Sequence, residues 1–288
     1  MIEQQEDVKW EAFLRYRYIE IIALWEGRLT TNHIQGNFGV QRQQASKTIN
    51  EYKKIAPDNL VYDQQLKGYT TGPKFKPQFM KGVVGEYLNL LNSQNLIEGS
   101  LEIMTVATTN TYVLQLPNRL VKPEIVRQLV RSCERGLRLE VQYASMNTPK
   151  GEERVIAPHT LVNSGFRWHV RAYCEKSRDY RDFILDRILE VTDELGDRLE
   201  PVENDTSWFE TIDLQLIPNP ELSEDQQELI RNEHCYGKER RTITTKKATA
   251  HYLLQLLQVP THRNRPAKEH PLILENLDQL KAERVLFG

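Results

Sequence analysis

Cysteine is scarce in this 288-residue sequence, which contains only Cys133, Cys174 and Cys235. A disulfide framework or a zinc site needs more cysteines at closer spacing, so we expect three reduced thiols and no metal. No uninterrupted apolar run approaches the roughly 20 residues that a membrane-spanning helix requires. The start of the sequence is acidic, whereas a signal peptide begins with a basic segment and continues with an apolar one. We therefore expect a soluble, cytoplasmic protein that does not contact membranes.

Catalytic motifs are also absent from the sequence. It has no glycine-rich phosphate loop, no GxGxxG fingerprint and no HExxH pair. Its histidines lack metal-ligand spacing with each other or with the cysteines. Ser164-Gly165 is not surrounded by a nucleophile elbow. We predict a protein that is not an enzyme and carries no cofactor, although catalytic residues far apart in sequence would escape such a search.

What the sequence does contain is charge, divided into blocks. Lys and Arg number 38 against 40 Asp and Glu, and the resulting net charge of −2 argues against nucleic acid as a partner. Counted by segment, however, residues 28–81 carry +6, 119–187 carry +5, 188–235 carry −12 and 236–288 carry +5. This division predicts a modular chain in which a polyanion contacts only part of the molecule, although solvated charge alone gives similar swings. Together with the helices and strands predicted for each region below, it indicates an α+β multidomain protein.

Two helices are predicted near the N-terminus. One face of the first helix is apolar: Trp10, Phe13, Leu14, Tyr18, Ile21, Ile22 and Trp25. Thr30 or Thr31 can cap a short second helix that runs to about Gln35, and Gly36 and Gly39 bracket a tight turn. These signals predict two consecutive helices that lead into a third.

The third helix, at residues 40–54, has a narrow apolar stripe of Ala45, Ile49 and Tyr52. Its remaining surface is polar and includes candidate DNA contacts: Gln41, Arg42, Gln43, Gln44, Ser46, Lys47 and Asn50. Glutamine and asparagine amides pair with adenine, arginine pairs with guanine, and serine or lysine holds phosphate. This composition is typical of a recognition helix.

Two β-prone runs in residues 60–71 surround a turn that contains Lys67, and their length suits a wing hairpin. We therefore predict a winged helix-turn-helix domain in residues 1–80 that contacts double-stranded DNA, with Lys67 as a further DNA-contacting residue. The alternative is an ordinary three-helix domain whose polar helix is only solvated.

Residues 81–118 are predicted to form a connector or a dimerisation segment. They contain an apolar helix near residues 83–91 and a strand-like run at 101–116. The segment from 82 to 118 has no basic side chain, so it ends the region that faces DNA. The sequence does not decide between the two roles.

The central region, residues 119–200, alternates apolar and polar residues from Leu137 onward, as β-strands do. One face of the strand at 166–174 is predicted to lie in the core: Phe166, Trp168, Val170, Ala172 and Cys174. The other face is polar: Arg167, His169, Arg171 and Tyr173. Three more arginines follow: Arg178, Arg181 and Arg187. Such a set either binds phosphates and stacks on bases or forms surface ion pairs with Asp179, Asp182 and Asp186, and both interpretations stay open.

The C-terminal region, residues 201–288, is predicted to be a small α/β domain. The acidic stretch at 190–205 overlaps its start and is interpreted as a connector from the central region. The expected elements are a strand at 208–217, a helix opened by Ser223, a strand at 240–245, a helix at 248–257 and a final helix at 272–287. Four basic residues either add to a ligand groove or are solvated: Lys246, Lys247, Arg263 and Arg265.

The residues around Trp168-His169-Val170 resemble the WYL domain, whose namesake triplet differs at two of these positions. Pro158-His159, Gly165 and Asp186-Arg187-Ile188 extend the match. The resemblance implies a Sm-like β barrel that binds a nucleotide or short nucleic acid on a polar face, with Trp168 in the core. Carried over by position, the ligand-binding residues are Tyr143, Ser145, His159, His169, Arg171, Arg181 and Arg187.

The order of winged helix, WYL domain and C-terminal extension resembles bacterial WYL regulators, in particular the BrxR and CapW repressors of phage-defence loci. This resemblance implies a homodimeric repressor that binds an inverted-repeat operator upstream of its own operon. A nucleotide or nucleic-acid effector at the WYL domain would relieve repression. Two alternatives stay open, an RNA- or oligonucleotide-binding module and a transcriptional activator.

Overall fold

The computed structural model describes residues 9–98, 114, 120–262 and 266–283. The chain divides into two compact units, residues 1–116 and 117–288. None of the helices in the described ranges is long and apolar enough to span a bilayer. The strand expected at 101–116 lies outside the described residues, apart from position 114.

The described part of the first unit consists of helices and one hairpin: α1 (Trp10–Trp25), α2 (Thr31–Phe38), α3 (Arg42–Ile55), β1 (Leu60–Asp63), β2 (Gly68–Thr71) and α4 (Val84–Glu98). The predicted helices, the hairpin and the apolar helix after residue 82 are confirmed. The hairpin is antiparallel, and a bridge between Leu29 and Tyr69 joins it to the segment before α2.

Helix α1 buries part of the predicted face. Tyr18, Ile21 and Ile22 are buried as predicted, and Tyr16 and Ile19 join them in the core. Three residues of the predicted face are exposed instead: Trp10, Leu14 and Trp25. Because apolar residues surround the second half of this helix, their spacing alone does not select the buried face.

A buried carboxylate ties α1 to α3 and to the segment after the hairpin. Glu20 is fully buried. Its oxygens accept hydrogen bonds from the Tyr52 hydroxyl (2.8 Å) and from the backbone N–H groups of Gln78 (2.8 Å), Phe79 (2.8 Å) and Met80 (3.0 Å). Burial raises the pKa of Glu20, and these hydrogen bonds act in the opposite direction.

Replacing Glu20 by glutamine is expected to destabilise the first unit by about 2–4 kcal/mol. The amide nitrogen donates and does not accept, so buried donors that Glu20 satisfies would lose their acceptor. Hydrogen exchange of the full chain, followed by mass spectrometry, measures the opening free energy of α1 and α3. Glu11→Gln changes the same charge at an exposed position of α1 and should leave exchange unchanged. Equal exchange in the two variants would contradict this role for Glu20.

Helix α2 is longer than predicted. The Thr30 N–H donates to Nδ1 of His33 at 2.9 Å, which closes the first turn. The helix continues through Gly36 to Phe38 and ends at Gly39, whose φ of 61° is left-handed. The expected end at Gln35 is therefore wrong, because a glycine inside a helix weakens it without ending it.

The wing turn between β1 and β2 is held by side chains. Arg28 Nε donates to the Leu66 carbonyl at 2.6 Å, and the Asp63 carboxylate accepts from the Leu66 N–H at 2.9 Å. Lys67 follows with a left-handed φ of 49° and an exposed side chain. The wing therefore presents a lysine at its tip.

The described part of the second unit begins with helix α5 (Pro123–Arg135). An antiparallel sheet follows: β3 (Leu137–Tyr143), β4 (Glu152–Asn163), β5 (Trp168–Cys174), β6 (Asp179–Ile184) and β7 (Ile188–Asp197). The remaining elements are α6 (Thr206–Phe209), β8 (Thr211–Pro218), α7 (Glu224–His234), β9 (Arg241–Lys246), α8 (Ala250–Leu256), β10 (Leu272–Leu274) and α9 (Leu277–Ala282).

The five-stranded sheet has the order β6-β5-β4-β3-β7, and α5 packs on β3, β4 and β7. Register shifts between β3 and β7 bend the sheet. Within the described residues no backbone pairing joins β6 to β7, so the structure has an open sheet where the resemblance implied a closed Sm-like barrel.

Strand β5 confirms part of the predicted alternation. Val170, Ala172 and Cys174 lie in the core of this sheet. Trp168 and Phe166 are each 50% exposed, so their prediction as core residues is wrong. Alternation predicts which side of the sheet a residue occupies but not whether another element covers it there.

The acidic connector expected at 190–205 is also wrong in its first half. Residues 188–197 form the edge strand β7, and most of its side chains are exposed. Acidic residues suit an edge strand because water solvates them on the uncovered side. One acid of the second half, Asp205, is 1% exposed.

The C-terminal elements form a three-stranded sheet of order β10-β8-β9. Ser223 caps α7 with a capping box, and the predicted β9 and α8 are confirmed with small shifts. The strand expected from residue 208 begins only at Thr211, because Asp205 caps the short helix α6. The expected helix at 272–287 begins instead with strand β10, which pairs with β8, and residues 284–287 of it lie outside the described residues.

Candidate functional site

Helix α3 separates its apolar and polar residues cleanly. Its buried side chains face the core of the first unit: Ala45, Thr48, Ile49 and Tyr52. The predicted DNA-contacting residues at its N-terminus and along its outer face are all exposed: Gln41, Arg42, Gln43, Gln44, Ser46, Lys47 and Asn50. The structure therefore brings these side chains together on one solvent-accessible surface.

This surface is almost free of negative charge. Glu51 is the acidic residue of α3, and it lies 3.8 Å from Lys47 in an exposed i,i+4 pair. At the other end of the helix, Lys53 Nζ lies 5.2 Å from the centre of the Tyr69 ring, which connects α3 to the wing. Helix and wing together can present hydrogen-bond donors and cations to a DNA groove and its phosphates.

The second candidate site is centred on Arg171 of β5, which is 6% exposed. Its Nε and Nη2 donate to the two oxygens of Asp205 at 2.5 and 2.7 Å, a bidentate pair. Its Nη1 donates to Asp182 Oδ1 at 3.1 Å. Tyr252 donates from its hydroxyl to the other oxygen of Asp182 at 2.9 Å. Arg171 is thus held by two carboxylates, one of them from the segment before β8.

His159 completes this network. Its Nε2 lies 3.1 Å from Asp205 Oδ2, and its Nδ1 lies 2.8 Å from the hydroxyl of Thr160. Its ring packs edge-on against Tyr180 and Trp208, with ring centroids 5.8 and 5.7 Å away. Two residues predicted to bind a phosphate ligand, His159 and Arg171, therefore converge on a single aspartate.

Burial and pairing act in opposite directions on the pKa values of the pair. Burial of Asp205 raises its pKa, but hydrogen bonds from His159 and Arg171 outweigh that effect, so the pKa lies below the ordinary aspartate value. Burial of Arg171 lowers its pKa, and the contacts with Asp205 and Asp182 more than compensate. Both groups are charged at neutral pH, and each stabilises the charge of the other.

A cleft of about 500 Å³ opens beside this network. Part of its lining comes from the sheet, including Arg171 and Arg181, and part from Lys247, His251 and Tyr252 near the start of α8. Burial lowers the pKa of His251 and raises that of Tyr252, so both rings are neutral at physiological pH. Cations, hydroxyls and aromatic rings in one cleft can bind a phosphate and stack on a base.

His169 lies close to this cleft, although its ring is outside the lining. It is buried, its ring lies 4.8 Å from that of Tyr252, and burial lowers its pKa. Its Nδ1 has no hydrogen-bond partner within the described part of the chain. The neutral ring therefore packs against α8 and offers an unused polar atom.

The other predicted ligand residues are not among those that line the cleft. The Tyr143 hydroxyl accepts from the Ile184 N–H at 3.2 Å, and the ring packs on Phe183. Ser145 exchanges hydrogen bonds with Thr148 in the turn after β3. Arg187 lies in the helical turn between β6 and β7. Of the predicted set, the structure thus groups His159, Arg171 and Arg181, with His169 adjacent.

Sequence reasoning missed Asp205, His251 and Tyr252. A local signal exists for Asp205, because it precedes Thr206-Ser207-Trp208 as an N-cap residue precedes a helix. His251 and Tyr252 are about 80 residues from Arg171 in the chain, and nothing near them in sequence indicates that they share its cleft.

Three family models match the chain in the order of its predicted domains. The BrxR transcriptional regulator winged helix-turn-helix domain matches residues 11–93. The WYL domain matches residues 124–193. The BrxR transcriptional regulator C-terminal dimerization domain matches residues 211–280.

Full-length relatives agree with these matches. The chain is 31% identical over 281 residues to the DNA-binding transcriptional repressor CapW of Escherichia coli (strain KTE188), covering 96% of this chain and 93% of that protein. It is 30% identical over 283 residues to the CapW repressor of Pseudomonas aeruginosa, with the same coverage. Because such relatives and the three domain matches together span nearly the whole sequence, the chain belongs to the BrxR and CapW family of WYL-domain transcriptional regulators.

Proposed function

We propose that this protein is a homodimeric, sequence-specific DNA-binding repressor that autoregulates a phage-defence operon. The observation that carries the proposal is the exposed, nearly acid-free surface of α3 in a unit that matches a winged-helix model. Relatives named DNA-binding transcriptional repressors support the same activity. The match to a C-terminal dimerization domain supports the dimer. The phage-defence operon is inferred from the likeness to BrxR and CapW regulators.

Two-fold symmetry determines the form of the operator. Each protomer of a dimer presents one copy of α3, so the two copies read half-sites of an inverted repeat, one or more helical turns apart. Arg42 and the glutamines Gln41, Gln43 and Gln44 contact base edges, Asn50 adds an amide, and Ser46, Lys47 and Lys67 hold phosphates. An operator on a bacterial chromosome is reached in the cytoplasm, where we place the protein.

The effector is a nucleotide or short nucleic acid that binds in the cleft beside Arg171. Arg181 and Lys247 attract its phosphates, and Tyr252 and His251 provide ring faces for a base. Binding relieves repression only if the effector has different affinities for the operator-bound and the free state of the dimer. The remaining predicted ligand residues, Tyr143, Ser145, His169 and Arg187, are outside this lining, so their part in binding stays a prediction.

Replacing Arg42 by alanine is expected to weaken binding to a duplex from the protein's own upstream region by about tenfold to a hundredfold, because a bidentate contact to guanine is lost. A gel shift measures this affinity. Arg127→Ala removes the same charge from an exposed position of α5 and serves as the matched control. Equal affinity of the two variants would contradict the assignment of α3 as the recognition helix.

Experiments with the same upstream region distinguish the repressor from an RNA-binding module and from an activator. Binding to single-stranded RNA in preference to the duplex would favour an RNA-binding module over a repressor. A reporter gene under the upstream region, with and without the protein, distinguishes repression from activation. A repressor lowers reporter expression, and an activator raises it.

A further inference from the structure

The donors of Arg171 that are predicted to bind an effector phosphate are already occupied within the chain. The Asp205 carboxylate accepts hydrogen bonds from Nε and Nη2 of Arg171 at 2.5 and 2.7 Å, and it also lies 3.1 Å from His159 Nε2. We propose that Asp205 is an internal anion that fills the phosphate position of the effector site, and that a phosphate-bearing effector binds by displacing it. This proposal rests on the proposed function, because it concerns the regulation of the same cleft. We call the contact of Asp205 with Arg171 and His159 the Asp205 latch.

The chemistry of the latch supports an exchange of anions. A guanidinium presents its N–H groups in a planar fork that fits a carboxylate or a phosphate in the same bidentate manner. The Asp205 side chain is 1% exposed, so it occupies that fork to the exclusion of water and of any other anion. An effector phosphate and Asp205 therefore cannot use the fork at the same time.

The surroundings of the latch allow the exchange without leaving Arg171 unpaired. Asp182 stays at 3.1 Å from Nη1 when Asp205 moves away, because it belongs to the neighbouring strand β6. Arg181 and Lys247 line the adjoining cleft and supply positive charge to the incoming phosphate. The buried guanidinium thus keeps one carboxylate and gains a phosphate.

Asp205 lies in the stretch that joins the WYL match, ending at 193, to the dimerization-domain match, beginning at 211. It caps α6, and its carboxylate accepts from the Trp208 N–H at 3.2 Å. The Trp208 carbonyl in turn accepts from Lys246 Nζ at 2.9 Å, at the end of β9. Release of Asp205 removes the anchor of α6, so occupancy of the cleft is transmitted to an element of the dimerization domain.

Asp205→Ser tests the latch directly. Serine keeps an N-cap residue for α6 and removes the carboxylate. The variant should bind a fluorescein-labelled, 5′-phosphorylated oligothymidylate of about ten nucleotides at least about tenfold more tightly than the wild type, because the effector no longer pays for displacing an internal competitor. Glu203→Ser removes an exposed carboxylate two residues away and should change this affinity by less than about threefold.

A measurement on the wild-type chain covers the possibility that Asp205→Ser folds poorly. Hydrogen exchange with and without the oligonucleotide should show faster exchange in peptides covering residues 202–210, together with slower exchange in β5 and β6. Unchanged or slower exchange in 202–210, or an Asp205→Ser affinity no higher than that of Glu203→Ser, overturns the latch. Duplex binding in a parallel gel shift reports on the proposed repressor function separately, because a failed latch leaves it intact.

Discussion

Replacing Arg171 by alanine is expected to lower the stability of the second unit by about 3–5 kcal/mol. The change leaves Asp205 buried without its cation, with His159 and the Trp208 N–H still in contact with it, and leaves Asp182 with Tyr252 as its remaining donor among the contacts of this network. A buried charge without a partner costs far more than the pair contributes when it is intact. The prediction treats Arg171 as a structural residue as well as a ligand-binding one.

Hydrogen exchange of amides in β5 and β6 measures this loss in the full chain. Arg181→Ala is the matched control, because Arg181 lies on β6 opposite Ala172 of β5 and its side chain is exposed. Its removal should change stability by less than about 0.5 kcal/mol. A similar effect of both substitutions would show that the ion network does not stabilise the unit.

The effect of Arg171→Ala should depend on pH in a defined direction. The pKa of Asp205 lies below the ordinary value of 3.8, so the folded state favours the ionised form. Such a group stabilises the fold above its unfolded pKa, and this contribution is lost as the pH falls through the lower folded pKa. The stability difference between wild type and Arg171→Ala should therefore be full at neutral pH and should shrink as the pH falls and Asp205 becomes protonated, first in the variant and then in the wild type. A difference that is constant across this range would mean that ionised Asp205 is not the source.

Operator affinity is expected to fall by about a hundredfold between 50 and 200 mM salt. Lys47 and Lys67 are the exposed cations that we assign to phosphates, so a dimer offers about four of them. Each phosphate contact releases a counterion. A plot of the logarithm of affinity against the logarithm of salt concentration is therefore a straight line, with a slope near −0.9 per phosphate contact. A nearly salt-independent affinity would contradict binding through α3 and the wing.

The salt dependence of operator affinity also reports how many protomers bind the operator. Lys47→Ala removes one phosphate contact from each copy of α3, so a dimer should lose about two units of slope and a monomer about one. Arg127→Ala on α5 should leave the slope unchanged. Fluorescence anisotropy on the upstream duplex across a salt series gives all three slopes.

Helix α3 could be predicted from sequence because its signal is local. Ala45, Ile49 and Tyr52 are spaced as one helical face, and the residues between them are polar. Once the buried face is predicted, the opposite face of the helix is predicted to be exposed. The same reasoning succeeded for the capped helix at Ser223. Elements whose residues interact within a few positions leave a readable pattern in the chain.

The effector site could be predicted only in part. The resemblance to the WYL domain predicts Arg171 and His159 as ligand residues, but Asp205 is 34 positions from Arg171 and lies within a run of acids that is typical of solvated surface. Trp168 was placed in the core because alternation indicates a face, and its exposure depends on what covers that end of the strand. Pairings between distant elements and the coverage of a sheet both depend on tertiary packing.

The uncovered edge at β7 affects how copies of the protein meet. An exposed strand offers free N–H and C=O groups to any other strand, which is a route to aggregation. Each β7 carries four exposed acids: Glu190, Asp193, Glu194 and Asp197. Two such edges brought side by side would set rows of like charges against each other, and like charges on paired strands repel. The acidic residues of β7 therefore disfavour pairing of two β7 edges, and they leave association to surfaces without this repulsion.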